Sequence, residues 1–247
     1  MLLTRRWIVL TVLALVAIAL MVGLGFWQLR RLHSVREDNA LVRARLAAQP
    51  APVESVLASG ADPAPATFRR VTASGRYDRV GEILLRNRSL NGEPGSHVLT
   101  PLRLADGRSV IVDRGWVPLN LTADEEERTR PPVLRSVTIA GVLFPSERKT
   151  VFAPSIPPSG RLTTIPRVDV ERIAKQLDYP VLPLYMRLES QTPPQAGDLP
   201  APPGLPDLSE GPHLSYAIQW FIFATIAAAT YVAVTRRELK KVSASRI

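Results

Sequence analysis

Two stretches of this chain carry no charge. Trp7–Leu29 and Leu214–Thr235 consist largely of aliphatic, small and aromatic residues, and each exceeds the roughly 20 apolar residues that cross a hydrocarbon core as a helix. Between them the pattern changes twice. His33–Gln49 sets Val35, Leu41, Val42 and Leu46 among Glu37, Arg43 and Arg45, which predicts a helix continuing out of the first run. Pro50–Pro65, rich in Ala, Pro and Gly, predicts a loop. From Phe68 the apolar period is two, and strands are expected over Arg69–Tyr77, Glu82–Arg88, His97–Leu104, Ser109–Val117 and Ser136–Phe144. Asn91-Gly92 with Pro94-Gly95, and Asp106-Gly107, supply the turns between them. Val168–Asp178 reads as a short amphipathic helix opened by Asp169, with Val170, Ile173, Ala174 and Leu177 on one face. Leu182–Glu189 is a further strand. Gln191–Pro212 carries seven prolines and predicts an extended linker back to the second apolar run.

These elements divide the chain into an N-terminal segment 1–6, a first span 7–29, a membrane-proximal helix and loop 30–66, a β-rich domain 67–190, a proline-rich linker 191–213, a second span 214–235 and a basic tail 236–247. Short strands that do not alternate with long helices, and no glycine-rich phosphate loop, argue against a doubly wound sheet. The expected fold is a membrane protein with two transmembrane helices and an extracytoplasmic, mainly-β (α+β) domain, a small antiparallel barrel or sandwich.

Charge sets the orientation. The net charge of +9 would suit a nucleic-acid binder, but Arg30–His213 carries 24 basic against 21 acidic residues. The rest of the excess lies at the ends, in Arg5, Arg6, Arg236, Arg237, Lys240, Lys241 and Arg246 against Glu238. Basic residues flanking spans are topology signals and contacts to the lipid bilayer, so nucleic acid is excluded as the partner. Five basic residues follow Thr235 and none occupies the twenty positions before Leu214, which puts the C-terminus in the cytoplasm. Two spans then place both termini there and the middle segment outside. Gly23-Leu24-Gly25 is a small-x-small pattern compatible with signal cleavage. The apolar run is nevertheless longer than a signal core of roughly 7–15 residues, which favours an uncleaved anchor.

The absence of cysteine excludes disulfides, thiolate metal sites and cysteine nucleophiles. Neither G-x-S-x-G nor H-E-x-x-H occurs, and the sequence offers no nucleophile–base pair, so a binding role is expected rather than an enzyme. Asp124–Glu127 lacks calcium-loop spacing and reads as a solvated loop or short helix within Thr122–Arg130. The informative constellation opens the second span. At 100° per residue His213, Tyr216 and Trp220 fall within about 60° on one helix face, behind Pro212. A neutral imidazole beside two aromatic surfaces can give a porphyrin an axial ligand and a stacking wall, or it can be an interfacial histidine in an aromatic belt. Gln28 and Gln219, both near the outer face, can hydrogen-bond across the helix pair or contact a ligand. Arg114, in Asp113-Arg114-Gly115-Trp116, can pair with Asp113 or reach a partner's carboxylate, including a haem propionate. Arg88, at a strand end, reads as a solvated arginine or as a propionate clamp. His97 reads as a strand-face histidine and His33 as exposed.

Six blocks carry a resemblance. They are Gly25-Phe26-Trp27-Gln28-Leu29, Gly75-Arg76-Tyr77-Asp78, Arg86-Asn87-Arg88, the run Gly95 to Leu102, the run Val112 to Pro118, and the run His213 to Phe221. In this order, between two spans, the sequence resembles the Surfeit locus protein one family of cytochrome c oxidase assembly factors. The resemblance implies a chaperone-like role for the respiratory chain: binding haem a and assisting its insertion into the oxidase's catalytic subunit, with haem a synthase as a second partner. The alternative it allows is a membrane-tethered scaffold that binds oxidase subunits without haem. In that family the histidine matching His213 has been considered a haem contact, which implies His213 as the iron ligand, with Tyr216, Trp220, Gln28 and Arg114 as further cofactor contacts. Gly75 matches a motif position and reads as a requirement of the fold. Thr122–Pro132 and the proline-rich linker fall outside the resemblance. A span beginning at residue seven leaves no room for a transit peptide, and Arg far outnumbers Lys; both lead to the expectation of a bacterial plasma membrane.

Overall fold

The computed structural model describes residues 4–58, 62–121, 129, 136–150, 154–195 and 197–244, of which 241–244 by backbone alone. The chain divides into two compact units, one formed by residues 1–41 with 207–247 and the other by residues 42–206.

The first unit is built on two long helices, α1 (Arg5–Ala47) and α4 (His213–Ala244). Among the described residues, two short α-helices and the strands lie between them in chain order. Both are long and apolar enough to cross a membrane, with mean hydropathy reaching 2.8 in α1 and 1.7 in the C-terminal helix. Their apolar side chains are largely exposed, Leu13, Leu20, Phe26, Ile218 and Ile226 among them, as expected of surfaces that meet lipid. The helix expected over His33–Gln49 is the continuation of α1. Inside this unit the helices run antiparallel, tied by Thr11 Oγ1 to Tyr231 Oη at 2.9 Å and by Gln28 to His213. Phe26 and Phe221 meet edge to face at 5.3 Å. Beyond the apolar stretch, Arg36 donates two 2.9 Å hydrogen bonds to the Glu210 carboxylate, and Asn39 Nδ2 donates to the Leu208 carbonyl.

The second unit is a mixed sheet. Its elements are β1 (Ala51–Pro52), the short helix α2 (Val53–Val56), β2 (Arg70–Tyr77), β3 (Ile83–Leu90), β4 (Glu93–Leu104), β5 (Ser109–Pro118), β6 (Val137–Phe144), β7 (Thr164–Ile165), α3 (Val170–Ala174) and β8 (Val181–Thr192). Strand order is β1-β2-β6-β8-β5-β4-β3-β7, and β2 also pairs with β4. Hydrogen-bonded neighbours therefore lead from β2 through β6, β8, β5 and β4 back to β2. The return occurs at Gly75, which pairs with both Val137 and Leu104; a Cβ there would stand 2.2 Å from the Arg103 carbonyl oxygen. The family position read as a fold requirement has that cause.

The alternation anticipated from the sequence builds the core. Val71, Ala73 and Tyr77 of β2, Leu102 and Leu104 of β4, Val110 and Val112 of β5, Val137, Ile139 and Leu143 of β6, and Leu182, Leu184, Met186 and Leu188 of β8 form one buried cluster. The opposite face of β4 and β5 is buried as well, at Leu99 and Ile111, so β5 is a near-continuous buried run, as a central strand with a parallel neighbour should be.

Three expectations are corrected. The sheet is not purely antiparallel, because β5–β8, β1–β2 and β3–β7 are parallel; β5 and β8 are far apart in the chain, and no local pattern encodes such a pairing. The predicted loop Pro50–Pro65 contains β1 and α2, whose Val53 is fully buried. The linker is not wholly extended away from the domain: β8 runs on to Thr192, and Ala201 makes an antiparallel bridge with Trp116, their backbone bonds measuring 2.7 and 2.8 Å. The loop or short helix read over Thr122–Arg130, Asp124–Glu127 included, lies outside the described residues except for Thr129.

Candidate functional site

The six sequence blocks fall into two settings, one in each unit. In the first unit His213 is the opening residue of α4, two positions after Gly211 and directly after Pro212. Its imidazole is half-buried, and Nδ1 lies 2.8 Å from Oε1 of Gln28 on α1. The amide that meets across the helix pair is thus Gln28, and its partner is His213 rather than Gln219, which is exposed. Tyr216, 46% exposed, and the half-buried Trp220 share the His213 face of α4 by helical angle. Trp220 meets Phe223 edge to face at 6.1 Å, an arrangement that leaves a ring face uncovered by that neighbour. Four of the five predicted contacts, His213, Tyr216, Trp220 and Gln28, therefore belong to one unit.

Arg114 belongs to the other. Position 114 continues the inward series Val110, Val112, and its guanidinium is 1% exposed rather than offered to a partner. Nη2 donates to Gln195 Oε1 at 2.8 Å, Nη1 lies 3.6 Å from Glu82 Oε2, and the guanidinium stands over the Tyr77 ring at 5.4 Å. Nε and Nη1 have no hydrogen-bond partner among the described residues. Burial lowers the Arg114 pKa from its ordinary value, and Tyr77 and Glu82 oppose that shift. Tyr77 Oη donates to Gln191 Oε1, and Gln191 Nε2 to the Pro193 carbonyl. Gln191 near the end of β8 and Gln195 just beyond it thus meet the polar end of the core, and Arg114 is spent holding that segment.

Asp113 also differs from expectation. Its partner is not Arg114: Oδ2 lies 2.9 Å from His97 Nδ1 while Oδ1 accepts from the Gly115 backbone N–H at 3.1 Å. The carboxylate is 1% exposed, so the strand-face histidine read from sequence is the counterpart of a buried acid. Register explains why this was not legible: Asp113 pairs with Leu99 and His97 with Trp116 across a shift in the β4–β5 ladder, so the two side chains meet diagonally rather than as ladder partners. Arg88 forms an ion pair with Glu147 at 2.6 Å, and His33 is exposed beside Glu37. Among the described residues there is no group of three or more His, Asp or Glu side chains that could enclose a metal ion, so a metal at His213 would have to bring its other ligands with it, as a porphyrin does.

The model of the SURF1 family matches residues 15–225. The chain belongs to the SURF1 family. An uncharacterized SURF1-like protein of Mycobacterium tuberculosis is 31% identical over 202 residues, covering 81% of this chain and 72% of the relative. A SURF1-like protein of Monosiga brevicollis is 30% identical over 227 residues, covering 87% and 83%. Surfeit locus protein 1 of Arabidopsis thaliana is 25% identical over 274 residues, covering 91% and 76%. The matched span takes in every block of the resemblance, from Gly25 to Phe221, and so includes both settings of this SURF1-family chain.

Proposed function

We propose that this SURF1-family protein is a membrane-anchored assembly factor for cytochrome c oxidase that binds haem a as cargo and assists its insertion into the catalytic subunit, taking it from haem a synthase. The observation that carries the reading is the His213 imidazole: half-buried, held through Nδ1 by Gln28, with Nε2 making no hydrogen bond among the described residues. When bound, haem brings an iron with an axial position for a neutral imidazole nitrogen. The chain's own residues do the rest. Gln28 holds the ring, Tyr216 and Trp220 offer aromatic surface on the same helix face, and the uncharged helix stretches below them suit an apolar cargo. Transient holding and handover call for moderate affinity, which one axial ligand and open aromatic surfaces would give. Arg114 is left out of the haem contacts, because its guanidinium is enclosed in the sheet unit.

The proposed setting is a bacterial plasma membrane, with α1 and α4 as two uncleaved spans, both termini cytoplasmic and the sheet unit extracytoplasmic. The role is binding, not catalysis. Purification from cells that make haem a tests it: the wild type is expected to show a Soret band and His213→Ala to lose it. A colourless wild type, or an unchanged spectrum in His213→Ala, counts against the ligand. If deletion of the gene lowers oxidase activity while the purified protein stays colourless, the protein is a scaffold for oxidase subunits. Normal oxidase activity and haem a content in the deletion strain contradict the assembly role altogether.

A further inference from the structure

The contact between His213 and Gln28 has a direction. An amide oxygen only accepts, so with Gln28 Oε1 at 2.8 Å the proton of a neutral imidazole sits on Nδ1. The lone pair is then on Nε2, the nitrogen turned away from α1. The backbone passes that nitrogen at Gly211, where an added Cβ would stand in ordinary van der Waals contact, 3.7 Å from Nε2. Tautomer and ring plane are both set from the facing helix before a ligand arrives.

This contact is one of several that tie the unit. Thr11 with Tyr231, Arg36 with Glu210, and Asn39 with Leu208 already tie the same unit along its length. None of these leaves a lone pair on a ring nitrogen beside an exposed aromatic face. We infer that Gln28 is a positioning residue: it fixes the Nδ1–H tautomer of His213 and presents Nε2 to an iron porphyrin, without touching the porphyrin itself. The inference rests on the reading of His213 as the axial contact. Acceptors on the far nitrogen of a metal-bound histidine set ring orientation and basicity, and their loss costs about 10–100-fold in metal affinity.

The test uses the full chain in detergent micelles titrated with hemin (iron protoporphyrin IX), reading the Soret band, the affinity and the midpoint potential. Gln28→Met keeps the length of the side chain and removes the acceptor; an affinity loss of about tenfold or more and a shifted Soret band are expected. Gln28→Glu keeps an acceptor and adds charge, so binding should persist while the potential falls, because a more basic imidazole favours ferric iron. Thr11→Val, which removes a remote tie, should leave all three readouts at wild-type values. If Gln28→Met matches the wild type in band, affinity and potential while His213→Ala loses the band, Gln28 is only a tie and the inference is overturned alone. If His213→Ala keeps the wild-type spectrum, the axial reading itself falls. Should Gln28→Met fail to accumulate, the potential of Gln28→Glu decides, and an unchanged value overturns the positioning role.

Discussion

Gly115 is where the block Val112 to Pro118 does its structural work. Its φ is +125°, in the region L side chains rarely adopt, and a Cβ there would stand 2.0 Å from the Ala201 carbonyl oxygen. Each neighbour contributes to the same end: Asp113 caps the Gly115 N–H, Arg114 grips Gln195, and Trp116 exchanges two backbone hydrogen bonds with Ala201. Gly115→Ala is therefore expected to destabilise the sheet unit by about 2 kcal/mol or more, from backbone strain together with displacement of the Ala201 segment. Urea unfolding of the detergent-solubilised chain, followed by Trp fluorescence, measures this; a wild-type midpoint would mean that the segment moves aside without cost. The residue types were all visible in the sequence. Their targets were not, because Gln195 and Ala201 come from a proline-rich stretch with no periodicity to announce a docked backbone.

At the scale of elements, sequence patterning located most strands to within a few residues. Arg70–Tyr77, Ser109–Pro118 and Val137–Phe144 follow the expected ranges closely, because one buried face imposes period two. It was least successful for short elements. The helix read over Val168–Asp178 is only Val170–Ala174, with Asp169 capping the Arg172 N–H as anticipated, and β7 has two residues whose pairing with β3 is entirely tertiary. The two long helices were the most legible, since an uncharged run needs no partner to be recognised. Their proposed orientation is open to test at this scale. Reporter fusions at the C-terminus should be active only on the cytoplasmic side, and reporters inserted near Asp106-Gly107 only outside. The reverse pattern would place the proposed cargo site at the wrong membrane face.

For the molecule as a whole, the division into two units separates two kinds of stability. The helix unit exposes apolar side chains, whereas the sheet unit has a closed core containing buried tyrosines. Burial holds the phenols of Tyr77 and Tyr185 neutral above the usual range, Tyr185 being pushed up to about 12. Unfolded phenols ionise near 10, so above that pH the unfolded chain has released protons that the folded chain retains. This contribution is complete below about pH 10 and is lost as pH rises toward the folded pKa, at about 1.4 kcal/mol per pH unit for each such tyrosine. Tyrosinate absorbance should therefore rise together with loss of the near-ultraviolet circular dichroism of the sheet. Phenols that titrate smoothly near pH 10 with the fold intact would contradict it.

The amino-acid sequence alone determined that there are two uncharged helices, a strand-rich segment between them and six blocks in the order of one family, since hydropathy, period-two alternation and motif order are local properties. Only the tertiary structure decided which distant residues meet. Arg114 turned inward to Gln195, Asp113 found His97 across a shifted ladder, and β5 took β8 as a parallel neighbour. His213 met Gln28, 185 positions earlier in the chain. The sheet contacts depend on register, which packing of the whole core sets, and the helix contact on the return of the chain to α1, so none is written in the residues at either end of the contact.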